Sequence, residues 1–503
     1  MTRGRAISAR AFGIRAHLVD VEAEVNRGLA SVTVSGSAES DLRTSRDRVR
    51  AALVNSGSAW PDDKVLITVL PSAPSPVPEA NDLAMAVAVL AASGSVPTTR
   101  LTGTVLLAGL SIDGRLRPVR GILPGVLAAR NAGFATVVVP HACMPEAALV
   151  DRIEVLGAEN LRAVIGWLRG QHPLSHPAAA APAILETDCR GGDLDEVAGH
   201  HQACQALEVA AVGGHSLRLI GPPGVGKLML GQRLPGLLPP LTEAESLEVA
   251  AIASMAGLLN DRHDPRTCHR PYVAAHHSSS VDSLLGSAVS GRPGAVPRAH
   301  LGVLHLDHYP ELPARTLDAL RTVLDDGEVR LANRDRVVRF PAQVQVILSA
   351  LPCPCAATRS GACICSPATL RRYHGRLAGP VPDRIDISVR LDPHDGGLTD
   401  TANESTAVVR ERVIAARAAA ARRWHEIGVT TNARVPGPAL CQQFPLSHAA
   451  AAVVESALRA GKISARAADQ VVRVAWTLCD LRGATRPDTD DMTRALDLRL
   501  HTH

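Results

Sequence analysis

Aromatic side chains are nearly missing: Phe, Tyr and Trp make up 2% of the 503 residues. Cores must therefore be built from Ala, Val and Leu. Long apolar runs are missing too. None reaches the roughly 20 residues that span a bilayer, and Met1-Thr2-Arg3-Gly4-Arg5 leads into no hydrophobic signal segment. These two absences predict a cytoplasmic protein with no membrane partner. Excess charge of one sign is small, +4 overall, so any case for nucleic acid must rest on local clusters. A spread cysteine framework is also lacking. Ten cysteines are present, but four crowd into Cys353–Cys365, the pattern of a metal site in a reducing compartment and not of disulfides. The rest is ordinary for soluble globular protein: 46% hydrophobic, 20% charged, and a length that suits about three domains.

The chain is organised around Gly221-Pro222-Pro223-Gly224-Val225-Gly226-Lys227. Leu217–Ile220 before it reads as a buried strand, and Leu228-Met229-Leu230 after it as the start of a helix. Strand, glycine turn, lysine and helix is the context of a phosphate-binding loop. Its backbone N–H groups wrap phosphates at a helix N-terminus, and the lysine adds a point charge. The position after the lysine should carry Ser or Thr for magnesium, and here it is Leu228. Nucleotide binding is therefore expected at Gly221 to Leu228, with magnesium weak or absent.

Before this loop the pattern is α/β. Val19, Val21, Ala23 and Val25 alternate, Asn26-Arg27-Gly28 turns, and Val32 and Val34 alternate again, which predicts a hairpin. Val49 and Leu53 suit a helix, and Val65–Leu70 a strand. Asn81 or Asp82 can cap a helix with Leu83, Val87, Leu90 and Ala91 on one face. Thr136–Pro140 reads as a strand after a helix across Leu127–Arg130. A Pro/Ala-rich linker, 173–192, follows. From about residue 400 alanine and arginine at helical spacing, with Val409, Val413 and Ala416 on one face, predict a bundle. The predicted division is 1–172, the linker 173–192, 193–395 with the glycine turn, and 396–503.

Three further stretches carry chemistry. Gly302-Val303-Leu304-His305-Leu306-Asp307 is a buried strand ending in an acid, the shape of a Walker B motif. The Glu that normally follows, to orient the attacking water, is replaced by His308. Cys353, Cys355, Cys363 and Cys365 are close enough in sequence for a tetrahedral zinc. The bland alternative is four reduced thiols on a loop. Glu328 to Phe340 reads as a hairpin turning at Asn333–Asp335, with Arg330, Arg334, Arg336 and Arg339 available for phosphates, or simply as a solvated hairpin. His276-His277 lacks acidic or cysteine neighbours in sequence and reads as structural.

Taken together, the chain resembles the ComM/YifB family of magnesium chelatase-like AAA+ proteins. The resemblance runs nearly end to end. It rests on Gly114-Arg115-Leu116-Arg117-Pro118-Val119-Arg120-Gly121, on the glycine turn, and on Arg233-Leu234-Pro235-Gly236-Leu237-Leu238-Pro239-Pro240-Leu241. Further carriers are Ala275-His276-His277-Ser278, Gly291-Arg292-Pro293-Gly294, Pro352-Cys353-Pro354-Cys355, Asp383-Arg384-Ile385-Asp386 and Ser464-Ala465-Arg466. It implies a Lon-protease-like domain of S5-type fold at the N-terminus, a P-loop domain and a C-terminal helical lid. It also implies a hexameric ring with ATP between subunits, and DNA as partner, since the family includes a helicase that drives branch migration in natural transformation. In this resemblance Lys227 and Asp307 face the nucleotide, Arg384 matches the arginine finger from the neighbour, and Arg466 matches the second sensor arginine. The 328–340 hairpin matches one that touches DNA in the central pore of related proteins.

Departures from the family pattern matter as much. Leu228, His308 and Leu351 stand where a metal-ligating hydroxyl, the water-orienting Glu and a γ-phosphate-sensing Asn are expected. Losing a general base alone costs about 10²–10⁴-fold, so impaired hydrolysis is predicted. The N-terminal region is expected to lack peptidase activity, because no serine lies between Pro76 and Ala91 and no lysine between Val119 and Gly125. Two rival functions are a non-enzymatic scaffold that assembles with another protein and a chelatase-type motor subunit.

Overall fold

The computed structural model describes residues 2–36, 39–71, 78–177, 191–259, 269–333, 336–357, 363–392 and 403–500. Two sheets organise it. The first has seven strands, in the order Ser31–Ser35, Lys64–Leu70, Arg15–Asn26, Thr2–Phe12, Thr104–Leu106, Thr136–Pro140, Glu154–Ala158. The expected hairpin is formed differently. Arg15–Asn26 pairs antiparallel with Thr2–Phe12 on one side and with Lys64–Leu70 on the other, while Ser31–Ser35 runs parallel to Lys64–Leu70. The two alternating segments are thus separated by a third strand. Alternation reports a half-buried strand and says nothing about its partner.

Helix Asp82–Ala92 is apolar all round and buried all round, not along one face. It is not capped by its side chains. Asn81 takes a helical backbone conformation and makes no capping bond, while the Asp82 carboxylate accepts from Arg48 Nε at 2.8 Å. The supposed linker begins inside the first core: Leu174 is buried there, and Ser175 pairs with Gly157. Its remainder, 178–190, lies outside the described residues.

The second sheet is wholly parallel, in the order Tyr272–Ala275, Val303–Leu306, Gln345–Ala350, Leu217–Ile220, Ile387–Arg390. A parallel sheet needs cover on both faces, which is why Gln345–Ala350 is buried at every residue. Helices His201–Gly213 and Lys227–Leu237 share one apolar core with the C-terminal helices Thr406–Arg423, His448–Arg459, Ala465–Leu481 and Thr489–Leu500. Val409, Val413 and Ala416 are buried, as their spacing predicts. Three of the scarce aromatics cluster among the C-terminal helices. Trp424, Phe444 and Trp476 meet edge to face, with the Arg423 guanidinium 4.3 Å from the Trp476 ring centre.

Helix Glu243–Ala256, closed by a Thr242/Glu245 capping box, ties the two sheets together. Its Ala250 and Ala251 enter the core that holds Ile7, Val105 and Leu123. A second contact is made by the turn between the first two strands. Gly13 (φ +64°) lies so close to the Arg339 carbonyl that a Cβ there would strike it. Among the described residues, no helix is long and apolar enough to cross a membrane.

Candidate nucleotide site

The glycine turn leaves Leu217–Ile220 and enters helix Lys227–Leu237 with Gly224 and Gly226 at φ +79° and +89°. Only glycine adopts that conformation at no steric cost, and it turns successive amides toward one concavity. Lys227 is buried and curls back on its own loop, its Nζ donating to the Gly221 and Pro222 carbonyls at 2.8 and 2.7 Å. Burial pulls its pKa down, and Asp307 acts against that pull. The helix is 11 residues long, so its N-terminal amides favour an anion. Beside the lysine, Leu228 is 45% exposed. An apolar side chain faces outward where a hydroxyl would meet a metal, so the cradle fits phosphate while the donor set suits magnesium poorly.

Asp307 follows the buried strand Val303–Leu306, as expected. The His308 amide donates to it at 3.0 Å, and a relay of three residues that the sequence did not disclose backs it. Ser349 Oγ donates to Asp307 Oδ1 at 2.5 Å. His305 Nε2 lies 2.9 Å from Ser349 Oγ, and Tyr272 Oη lies 2.7 Å from His305 Nδ1. Burial pushes the His305 pKa down to about 4, so the ring is neutral at pH 7, donating through Nε2 and accepting at Nδ1. Each residue comes from a different strand of the parallel sheet, which is why linear inspection missed them. The one legible signal was a histidine inside an otherwise apolar strand.

His308 takes a left-handed backbone (φ +50°). Its ring nitrogens stand 3.8 Å from Asp307 Oδ2 and 3.6 Å from Glu311 Oε1, longer than hydrogen bonds. His277 Nε2 is 3.7 Å from Glu311 Oε2. The histidine pair therefore does have an acidic neighbour, brought from the next strand's loop, which the sequence did not show. Leu351 is buried just past Ser349.

The two candidate arginines lie beside acids of their own chain. Arg384 makes a bidentate pair with Asp325, at 2.7 and 2.5 Å, and Arg466 lies 3.9 Å from Asp383. In the hairpin, Glu328–Asn333 and Arg336–Pro341 pair antiparallel with Arg330 opposite Arg339. Val329, Val338 and Phe340 are buried, and both arginines point outward beside Glu328. Arg334 and the side chain of Arg336 lie outside the described residues. The four cysteines converge, with sulfurs all within 4.8 Å of one another.

The sequence matches three family profiles in succession: subunit ChlI of Mg-chelatase over residues 21–143, magnesium chelatase subunit ChlI over 193–397, and its C-terminal part over 403–499. An uncharacterised protein of Mycobacterium tuberculosis is 48% identical over 99% of both chains. YifB of Escherichia coli is 35% identical over 94% of this chain and 92% of its own. The competence protein ComM of Haemophilus influenzae is 32% identical over 98% of this chain and 96% of its own. The chain belongs to the magnesium chelatase-like family that includes YifB and ComM. Membership places it among AAA+ ATPase-type proteins. As a YifB/ComM relative it carries the glycine turn, the acid strand, the arginine hairpin and the cysteines inside the second match. The third match adds helices to the same core that supports the glycine turn.

Proposed function

We propose that this protein is a ring-forming, ATP-binding protein that acts on DNA in the manner of ComM-type branch-migration helicases, with ATP hydrolysis impaired. The proposed division is an N-terminal domain of Lon-protease-like, S5-type fold (1–172), a linker (173–192) whose first residues pack on that domain, a P-loop domain (193–395) and a helical lid (396–503). One observation carries the reading. The phosphate cradle is complete, while the places for metal, water and γ-phosphate sensing hold Leu228, His308 and Leu351. The resemblance to a competence protein supports DNA as partner, and the outward arginines of the hairpin supply charge for phosphate contacts. Arg384 serves as the finger to a neighbouring subunit only after leaving Asp325, which ties any residual turnover to assembly of the hexamer.

Calorimetry with ATP, with and without magnesium, and turnover with and without DNA test this. Binding with little magnesium dependence and negligible turnover is the expected result. No binding at millimolar nucleotide leaves the scaffold reading. DNA-stimulated turnover that Lys227→Ala abolishes shows an unusual active site instead of a silent one.

A further inference from the structure

The cysteine cluster is not used by the nucleotide site and has a chemistry of its own. It connects the strand Gln345–Ala350, whose Ser349 holds Asp307, to the helix Pro367–Leu377. Cys353 Sγ lies 3.3 Å from Cys355 Sγ, and Cys355 Sγ lies 3.5 Å from Cys363 Sγ. These distances exclude a disulfide, whose sulfurs are about 2.0 Å apart. A tetrahedral ion with bonds of about 2.3 Å sets its sulfurs about 3.8 Å apart, and the four sulfurs here stay within 4.8 Å. The space between them suits one ion and not an iron–sulfur cage.

The backbone is shaped around the sulfurs. Ala356 adopts φ +55° directly after Cys355, a conformation costly for alanine, and its amide closes a turn on the Cys353 carbonyl at 3.1 Å. Ile364, between two of the cysteines, is 90% exposed and packs on no core.

We propose that Cys353, Cys355, Cys363 and Cys365 bind one zinc ion as four thiolates, a closed structural site that staples the loop between the acid-holding strand and the arginine-bearing helix. Four protein sulfurs leave no open position, so the ion is structural and not catalytic. Each thiol that binds gives its proton to solvent. The Tyr373 hydroxyl, from the stapled helix, donates to the Leu351 carbonyl at 2.9 Å, so the staple also steadies the segment next to the nucleotide site.

Metal analysis of the reduced full-length chain, purified without chelator, tests the proposal. About one zinc per chain is expected, with no iron and no visible absorption. Cys363→Ser combined with Cys365→Ser should lose at least nine-tenths of the zinc, while Cys204→Ser, a buried thiol outside the cluster, keeps it. If the double variant does not fold, cobalt(II) exchange into the wild-type chain decides, because four thiolates give intense charge-transfer and tetrahedral bands. A folded wild-type chain that takes up neither zinc nor cobalt overturns the site. So does zinc retained in a folded double variant, or iron in place of zinc.

Discussion

At the scale of single residues, Asp82 gives the clearest dependence on pH. Burial raises its carboxyl to about 6, against the pull of the Arg48 guanidinium. Unfolded, the same group titrates near ~3.9. The folded state therefore holds the proton to higher pH than the unfolded state does. The stability Asp82 contributes is fully present below about 4 and is lost as pH rises through about 6, a swing of order 3 kcal/mol. Urea denaturation of wild type and Asp82→Asn at several pH values should show the difference between them changing by that order across this window. A constant difference would remove the effect. In the nucleotide site the replaced positions act as a unit, so single repairs recover little. Leu228→Thr, His308→Glu and Leu351→Asn together should raise turnover above His308→Glu alone. Equal rates for the two would place the defect elsewhere.

At the scale of elements, the hairpin sets two like charges opposite each other. Arg330 faces Arg339 across the ladder, an unfavourable pair that Glu328 relieves at 3.4 and 3.7 Å. Replacing both arginines by Ala should flatten the dependence of log affinity for duplex DNA on log salt by about 2, from about 0.9 per lost phosphate contact. An unchanged slope would leave the hairpin a solvated ornament. In the helical part, Asn432 is the hub: it accepts from Trp424 Nε1 at 2.6 Å and donates to Thr477 and Asp480 at 3.0 and 2.9 Å. Asn432→Leu leaves Trp424 Nε1 without its acceptor and removes one donor each from Thr477 and Asp480, which keep Arg473 and Arg423, and should cost about 1–3 kcal/mol, read as a lowered denaturation midpoint.

Such elements mark the limit of what the sequence showed. The glycine turn, the acid strand, the hairpin and the cysteine spacing are local patterns and were legible. So were the helix across Val409 and Val413 and the buried strands before the glycine turn and before Asp307. Partnership was not. The strand at Val32 found a different neighbour, Asn81 did not cap, Leu174 joined a core, and Glu311 came beside His277. Ser349 and Tyr272 were invisible because nothing near them in sequence marks them as supports for Asp307. Each of these is decided by residues tens to hundreds of positions away.

At the scale of the molecule, one apolar core runs from the glycine-turn helix into the C-terminal helices, although two family profiles meet at 397 and 403. The Asp383-Arg384 segment is held from behind by Arg499, which donates to the Ile385 carbonyl and, at 3.2 Å, to the Asp383 carbonyl. Arg499→Ala should lower the thermal midpoint and unsettle Arg384, with a cost of about 1–3 kcal/mol. An unchanged midpoint would make that contact incidental. The same contact has a meaning in time. Asp383-Arg384 leaves the ribosome more than a hundred residues before the side chain that braces it. At roughly 5–20 residues per second, several seconds pass in which the first sheet can close but the nucleotide face has no back wall. The core behind the nucleotide site closes only once the last helices have been made, so a chaperone that holds the nascent chain before then would find exposed surface in the middle of the sequence.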